Sequence, residues 1–429
     1  MNKVTALQKN NLKRYFRKVK NQQKKFVPNR SDIPLAIPPY GWEEVSEVLD
    51  SLLSMKTTMG DKVKKFEKLF ANYIGVKYAL MVNSGSSANL LALSILSNPS
   101  LGNRRLKHGD EVITPAVTWP TTVYPITNVG AVPVFVDVNL DGFDINTERI
   151  ESAISKKTRA IMPVHLLGNP CNMNKIRKIA KKHNLWIIED ACEAHGAEYY
   201  GKKVGSFGNL ATFSFFISHH ITTMEGGMLV TNDKQLYELG KSIRTFGWTR
   251  DLDKKKNIEK KFSHIDSHFL FVNSGYNLRP TELQGAFGIH QIKKLESFIK
   301  IKIQNTNYWN KRLEPFSKFL ILPKPKKRQR IPHLFYPITI IENNLFTKNE
   351  LVVYLEKRHI ETRPIMSGNF VKQPVIKHLH YKTKNKLENA NYIMKNSFGI
   401  GNHQGIDKIK RKYVADTIIE FLNKKLNLC

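Results

Sequence analysis

Cysteine is scarce in this 429-residue chain. Cys171, Cys192 and Cys429 stand far apart and form no CxxC pair, so neither a disulfide framework nor a zinc ribbon is signalled and a reducing, cytoplasmic setting is expected. Long apolar runs are missing as well. None approaches the ~18 residues needed to cross a bilayer, and charges stand where the apolar core of a secretory signal would be, so no membrane partner is expected. Acids are absent before Asp32, whereas ten basic residues lie between Lys3 and Arg30. That stretch has a weak helical period, and Lys and Asn replace the Arg and Ser that presequences favour, which makes it a surface extension.

What remains has average globular composition, 41% hydrophobic and 24% charged, which excludes wholesale disorder and fibrous repeats. The excess of 68 Lys and Arg over 36 Asp and Glu, net +32, invites a nucleic-acid reading. Most of this charge is scattered lysine, and no helix-turn-helix, zinc-finger or ribonucleoprotein signature accompanies it, so nucleic acid is not the expected partner. A positive field would still steer a phosphate-bearing substrate.

From Tyr78 to Thr231 short apolar runs alternate with longer helical stretches. YALMV at Tyr78, EVIT at Glu111, VPVFVD at Val132, RAIMPV at Arg159, LWIIED at Leu185 and ATFSFF at Ala211 read as buried strands of a doubly wound, largely parallel α/β sheet. After about Thr281 a long amphipathic helix leads into a Pro- and Lys-rich connection. YPITII at Tyr336, RPI at Arg363 and the helix NELVVYLEKR at Asn349 then suggest a smaller α/β unit. The expected division is a basic extension over 1–30, a large α/β domain over 31–290 and a small C-terminal domain over 291–429.

Ligands of such sheets bind beyond the carboxyl ends of strands. There, Gly85 permits a turn and Ser86 and Ser87 open a helix, a seat for an anion that an ordinary helix cap would equally explain. Trp119, after the next strand, is placed to stack on a flat ligand or to fill the core. Asp190 ends a buried strand, where a carboxylate is costly unless it meets a cation. A phosphate seat, a stacking aromatic and a strand-terminal Asp, in that chain order, are what pyridoxal phosphate requires.

Here the chain resembles a known family. EDACEAHGA, SFFISHHITTMEGG (Ser214–Gly227) and GYNLRPTELQGAFG (Gly275–Gly288) are similar to motifs of the DegT/DnrJ/EryC1/StrS sugar aminotransferases, over roughly Pro34 to the C-terminus. The resemblance implies the aspartate-aminotransferase fold, PLP-dependent fold type I, with a mostly parallel seven-stranded sheet, and a homodimer with shared active sites. It implies that Ser86, Ser87 and Ser214 hold the cofactor phosphate, that Trp119 stacks on the ring, that Asp190 faces the pyridine nitrogen and Glu193 the ring hydroxyl, and that Asn277 reaches the neighbouring subunit's cofactor.

One departure is decisive. Where the family's pattern has its Schiff-base lysine this chain has His219, and no lysine occurs from Val204 through Asp233. Imidazole cannot form the stable imine of an amine yet transfers protons well. Pyridoxal phosphate and pyridoxamine phosphate are therefore expected to bind non-covalently, with His219 as the catalytic base. Losing lysine turns transamination into 3-dehydration. The same histidine, with GWTRDL, ETRPIMSGNF and GNHQ, resembles the family's subset that removes the C3 hydroxyl of GDP-4-keto-6-deoxy-D-mannose with L-glutamate as amino donor, on the route to colitose and O-antigen lipopolysaccharide.

The alternatives are a CDP-4-keto-6-deoxyglucose 3-dehydrase, a nucleotide-sugar 4-aminotransferase and a cofactor-binding regulatory protein. The CDP-sugar enzyme carries an iron–sulfur cluster held by four thiolates. Three scattered cysteines argue against that cluster, so no reductase partner is expected. The His219–His220 pair lacks a third ligand by spacing, so no metal is expected. His165 and His195 receive no role, and Arg250 and Arg279 suit either a substrate anion or surface ion pairs.

Overall fold

The computed structural model describes residues 4–22, 25–324, 326–384 and 386–427; Cys429 lies outside them. Each apolar run named above forms a strand: Tyr78–Val82, Glu111–Pro115, Val132–Val136, Thr158–Ile161, Trp186–Asp190 and Leu210–Ser214. A seventh strand, Gly227–Thr231, had no such signal because only three apolar residues follow the glycine pair Gly226–Gly227 at its start. It inserts between Tyr78–Val82 and Leu210–Ser214 and runs antiparallel to both. The remaining pairings of the sheet are parallel. Beyond the seven implied strands an eighth, Lys382–Thr383, extends the Val132–Val136 edge, where Lys382 Nζ meets the buried Glu111 carboxylate at 2.7 Å.

Residues of these strands point into two apolar layers. One packs Phe66, Phe70, Phe213 and Phe215 against Ile289, Leu295 and Ile299; the other packs Leu80, Val112, Ile188 and Leu229 against the helix Gly85–Leu96. Both faces are thus buried, which is why the strands read as continuous apolar runs rather than as alternating ones.

The helix Glu282–Leu313 begins in a capping box between Thr281 and Gln284. Glu282 also accepts the N–H groups of Gly60 and Lys62 at 2.8 and 2.7 Å, capping the start of the helix Asp61–Ile74. The position expected to divide the domains, 290/291, falls inside this 32-residue helix, which runs from the large sheet to a second cluster around Trp309, Tyr336 and Phe398. That cluster lies on a four-stranded sheet of Leu320–Ile321, Phe335–Ile340, Ser397–Gly401 and Thr362–Pro364. The basic N-terminal stretch forms the helix Ala6–Gln22, tied to the helix Trp42–Leu53 by the Val4 N–H donating to Asp50 at 3.3 Å and by Lys13 over the Trp42 ring.

Candidate active site

Because the six parallel strands carry the turns that follow them to one edge, residues far apart in sequence converge there on a cavity of about 260 Å³. Ser86, Trp119, Asp190, Glu193, Ser214 and His219 all line it. Two expected residues do not. Ser87 turns its hydroxyl to Ser84, 3.0 Å away, and Asn277 lies outside the cavity, accepting from Arg279 Nε at 3.0 Å.

At the helix start the cavity is lined by Ser84 and not by Ser87. Ser84 is the cap of the helix Gly85–Leu96, its Oγ accepting the Ser87 N–H at 3.1 Å, and it lines the cavity with Gly85 and Ser86. Its signal was present in the sequence, a serine three residues before the helix's first bonded N–H. The helix start can meet Ser214 only because residue 85 has no side chain: a Cβ there would stand 2.4 Å from Ser214 Cβ. Gly227 permits the same crowding on the other side, since its Cβ would lie 2.2 Å from the Ser84 carbonyl oxygen.

Asp190 is 5% exposed. Its Oδ2 accepts from Asn89 Nδ2 at 3.0 Å and Thr122 Oγ1 at 2.8 Å, and its Oδ1 from the Cys192 N–H at 3.2 Å. Asn89 and Thr122 were not foreseen; one sits a turn into the serine-capped helix and the other just after Trp119, each visible only once the strand order brings them together. Trp119 is 51% exposed at the cavity mouth, so it is not a core tryptophan. Glu193 accepts the Leu167 N–H at 2.8 Å, and burial pushes its carboxyl up to about 7, with the Asp190 charge adding and Arg363 opposing.

His219 occupies the loop after Ser214. Its Nδ1 is buried without a hydrogen-bond partner, and burial, reinforced by the charge of Lys302, lowers its pKa to about 4. The ring is therefore neutral at physiological pH. Among the described residues no lysine lines the cavity. The far wall comes from the C-terminal segment, with Leu334, Phe335, Arg363 and Met366.

The other histidines are structural in their contacts. His165 is fully buried, its Nδ1 accepting the Cys171 N–H and its Nε2 donating to Glu189 at 3.0 Å. His220 Nε2 donates to the Pro332 carbonyl at 2.6 Å. Arg250 lies over the Trp248 ring and Arg279 over the Phe246 ring, both outside the cavity lining.

Known proteins are similar in sequence and fold. The chain is 40% identical over 366 residues to the GDP-4-keto-6-deoxy-D-mannose 3-dehydratase of Escherichia coli O55:H7, covering 85% of this chain and 92% of that one. Among solved structures it is similar to the E. coli GDP-4-keto-6-deoxy-D-mannose-3-dehydratase with bound hydrated PLP, at 38% identity and a TM-score of 0.84 over 90% of this chain and 99% of that one. A structure of GDP-4-keto-6-deoxymannose-3-dehydratase with a trapped PLP-glutamate geminal diamine matches equally, at 38% identity and a TM-score of 0.84 over 90% and 100%. Residues 40–419 match the model of the DegT/DnrJ/EryC1/StrS aminotransferase family, and with this fold and this site the chain belongs to that family.

Proposed function

We propose that this chain is a PLP-dependent sugar-nucleotide 3-dehydratase that removes the C3 hydroxyl of GDP-4-keto-6-deoxy-D-mannose, giving GDP-4-keto-3,6-dideoxy-D-mannose, with L-glutamate as amino donor. One observation carries the reading: the cavity presents the imidazole of His219 and, among the described residues, no lysine amine.

The residues present fit the cofactor. The Gly85–Ser214 cradle is one that a Cβ would fill, and it sets free N–H groups of a helix start beside the hydroxyls of Ser86 and Ser214, a seat for a phosphate. Asp190, oriented by Asn89 and Thr122, is the counter-charge for a protonated ring nitrogen. Trp119 would cover the ring face, and Glu193 would meet the ring hydroxyl with a carboxyl that exchanges its proton near neutrality.

Bound as its amine, the cofactor would supply an electron sink for loss of the C3 hydroxyl. His219 accepts the proton whose loss releases those electrons. The proton taken by His219 can go to the departing C3 hydroxyl, which then leaves as water; a lysine amine at this place would more readily return it to C4 and complete an amino sugar. The 4-aminotransferase alternative is opposed by this absence of an amine, and the iron–sulfur alternative by a chain with three cysteines where four thiolates are needed.

We further read the protein as a homodimer, since Asn277 lies outside its own cavity and Phe246, Phe271 and Tyr276 beside it are exposed. The two-domain division and a cytoplasmic location belong to the same reading; among the described residues no helix is long and apolar enough to cross a membrane. The test is mass spectrometry of GDP-4-keto-6-deoxy-D-mannose incubated with the protein, pyridoxal phosphate and glutamate, with no reductase. Loss of one sugar oxygen with formation of 2-oxoglutarate and ammonia is expected. An amino sugar as product would overturn the proposal.

A further inference from the structure

Lys302 places a charge where charge is costly. It lies on the helix Glu282–Leu313, is 3% exposed, and has no carboxylate partner among the described residues. Its ammonium donates to the Leu334 carbonyl at 3.2 Å and to the Asn402 carbonyl, and burial lowers its pKa to about 7. Unpaired buried ammonium groups cost stability and are enriched where a protein uses them.

Its surroundings suggest the use. Three consecutive carbonyls are held from behind: Pro332 by His220 at 2.6 Å, His333 by Asn402 Nδ2 at 3.0 Å, and Leu334 by Lys302. Leu334 and Phe335 then form the cavity wall. Next to this clamp lies a cluster of rings, His195 centred 6.3 Å from His219 and 5.5 Å from His220. Both nitrogens of His195 and the Nδ1 atoms of His219, His220 and His333 have no partner. An ammonium among unpartnered imidazoles opposes the protonation of each.

We propose that Lys302 is a positioning residue for proton transfer at His219: its ammonium pins the Leu334 carbonyl of the cavity wall and, as a cation buried with the imidazole cluster, keeps His219 in its proton-accepting form. The proposal rests on the reading of His219 as the base. The groups around His219 come from several elements: His195 from the loop after Trp186–Asp190, His220 from its own loop, Lys302 from the long helix, and Asp190, Glu193, Glu225 and Arg363 from the rest of the cavity. Burial first, and then the charge of Lys302, oppose protonation of the ring. Because Lys302 is charged below about pH 7, its effect falls on the acid side, where an unassisted imidazole would take up a proton.

The test is nitrogen-15 NMR titration of the histidine rings in the full-length, cofactor-free protein, with the His219 signal assigned by its loss in His219→Asn. In Lys302→Gln, which keeps donor groups and drops the charge, the His219 midpoint should rise by about 0.5 to 1 pH unit. The midpoints of His333 and His403, which also feel Lys302, should rise with it, while those of the exposed His264 and His268 stay in place. Lys302→Arg should restore the low midpoint. The acid limb of kcat/KM for the GDP-sugar should move by the same amount as the NMR midpoint. An unmoved His219 midpoint in folded Lys302→Gln would overturn the proposal. Failure of the dehydratase reading would appear separately, as absent product with the NMR shifts intact.

Discussion

Gly85 lies directly against Ser214: a Cβ built on the glycine would stand 2.4 Å from Ser214 Cβ and 2.8 Å from its hydroxyl. No rotamer of a side chain relieves this, because both residues are held by regular structure, one by the first turn of a helix and the other by a strand end. Gly85→Ala is therefore expected to separate the two halves of the phosphate seat. Overpacking of this kind costs ~1–3 kcal/mol, and pyridoxal phosphate affinity, followed by absorbance titration, should fall at least ~10-fold.

The lysine-free cavity makes a covalent prediction. In His219→Lys, pyridoxal phosphate should form an adduct visible by its absorbance and trapped by borohydride, adding the cofactor's mass to residue 219. The wild-type protein should give no such lysine adduct; finding one would place the base elsewhere. Dehydration should fall by ~100-fold or more in His219→Asn, the usual contribution of a positioned base.

Asp190 accepts from Asn89, Thr122 and the Cys192 N–H on its two oxygens, so Asp190→Asn keeps one acceptor, turns an NH2 toward a donor on the other side and removes the negative charge that would face a protonated ring nitrogen. Breaking a buried charge pair costs ~3 kcal/mol or more, which corresponds to about 100-fold weaker cofactor binding. Equilibrium dialysis of pyridoxamine phosphate would measure it, and unchanged affinity would remove Asp190 from the site.

Stability should depend on pH in a defined sense. The pKa of His219 is depressed to about 4, that of His403 to about 4 and that of His333 to about 3, each first by burial. A depressed group favours the folded state above its unfolded value of ~6.5, and that advantage is lost as pH falls toward the folded value, because the unfolded chain binds protons first. Glu193 acts in the opposite sense. Its carboxyl is raised to about 7, so its contribution is fully present below the unfolded value of ~4.3 and is lost as pH rises through 7. The melting temperature should accordingly fall steadily from pH 6.5 to 4. His219→Asn should flatten part of that fall.

The strands were legible because burial on both faces leaves an unbroken apolar signature, as in VPVFV at Val132 and WIIED at Trp186. Gly227–Thr231 escaped because Gly227 and the preceding Gly226 answer to Ser84 and Thr223, contacts that have no local signature. Trp119 and Asp190 were legible because each lies at or just beyond a strand end, and strand ends share one edge in a parallel sheet; Ser214 and His219 were read from the motif SFFISHHITTMEGG that resembles the family's. Ser84 took the place expected of Ser87 because the cap, not the first bonded residue, faces outward from a helix start.

The sequence by itself determined the chemistry at residue 219: no lysine is near enough in the chain to replace the histidine, and a side chain's functional group needs no fold to be read. Tertiary structure alone decided what surrounds that imidazole. Lys302, 83 positions further along, and the carbonyls it holds at Leu334 and Asn402 come together only through the long helix and the C-terminal sheet. Electrostatic shifts depend on distance and burial, and neither is a property of position along the chain.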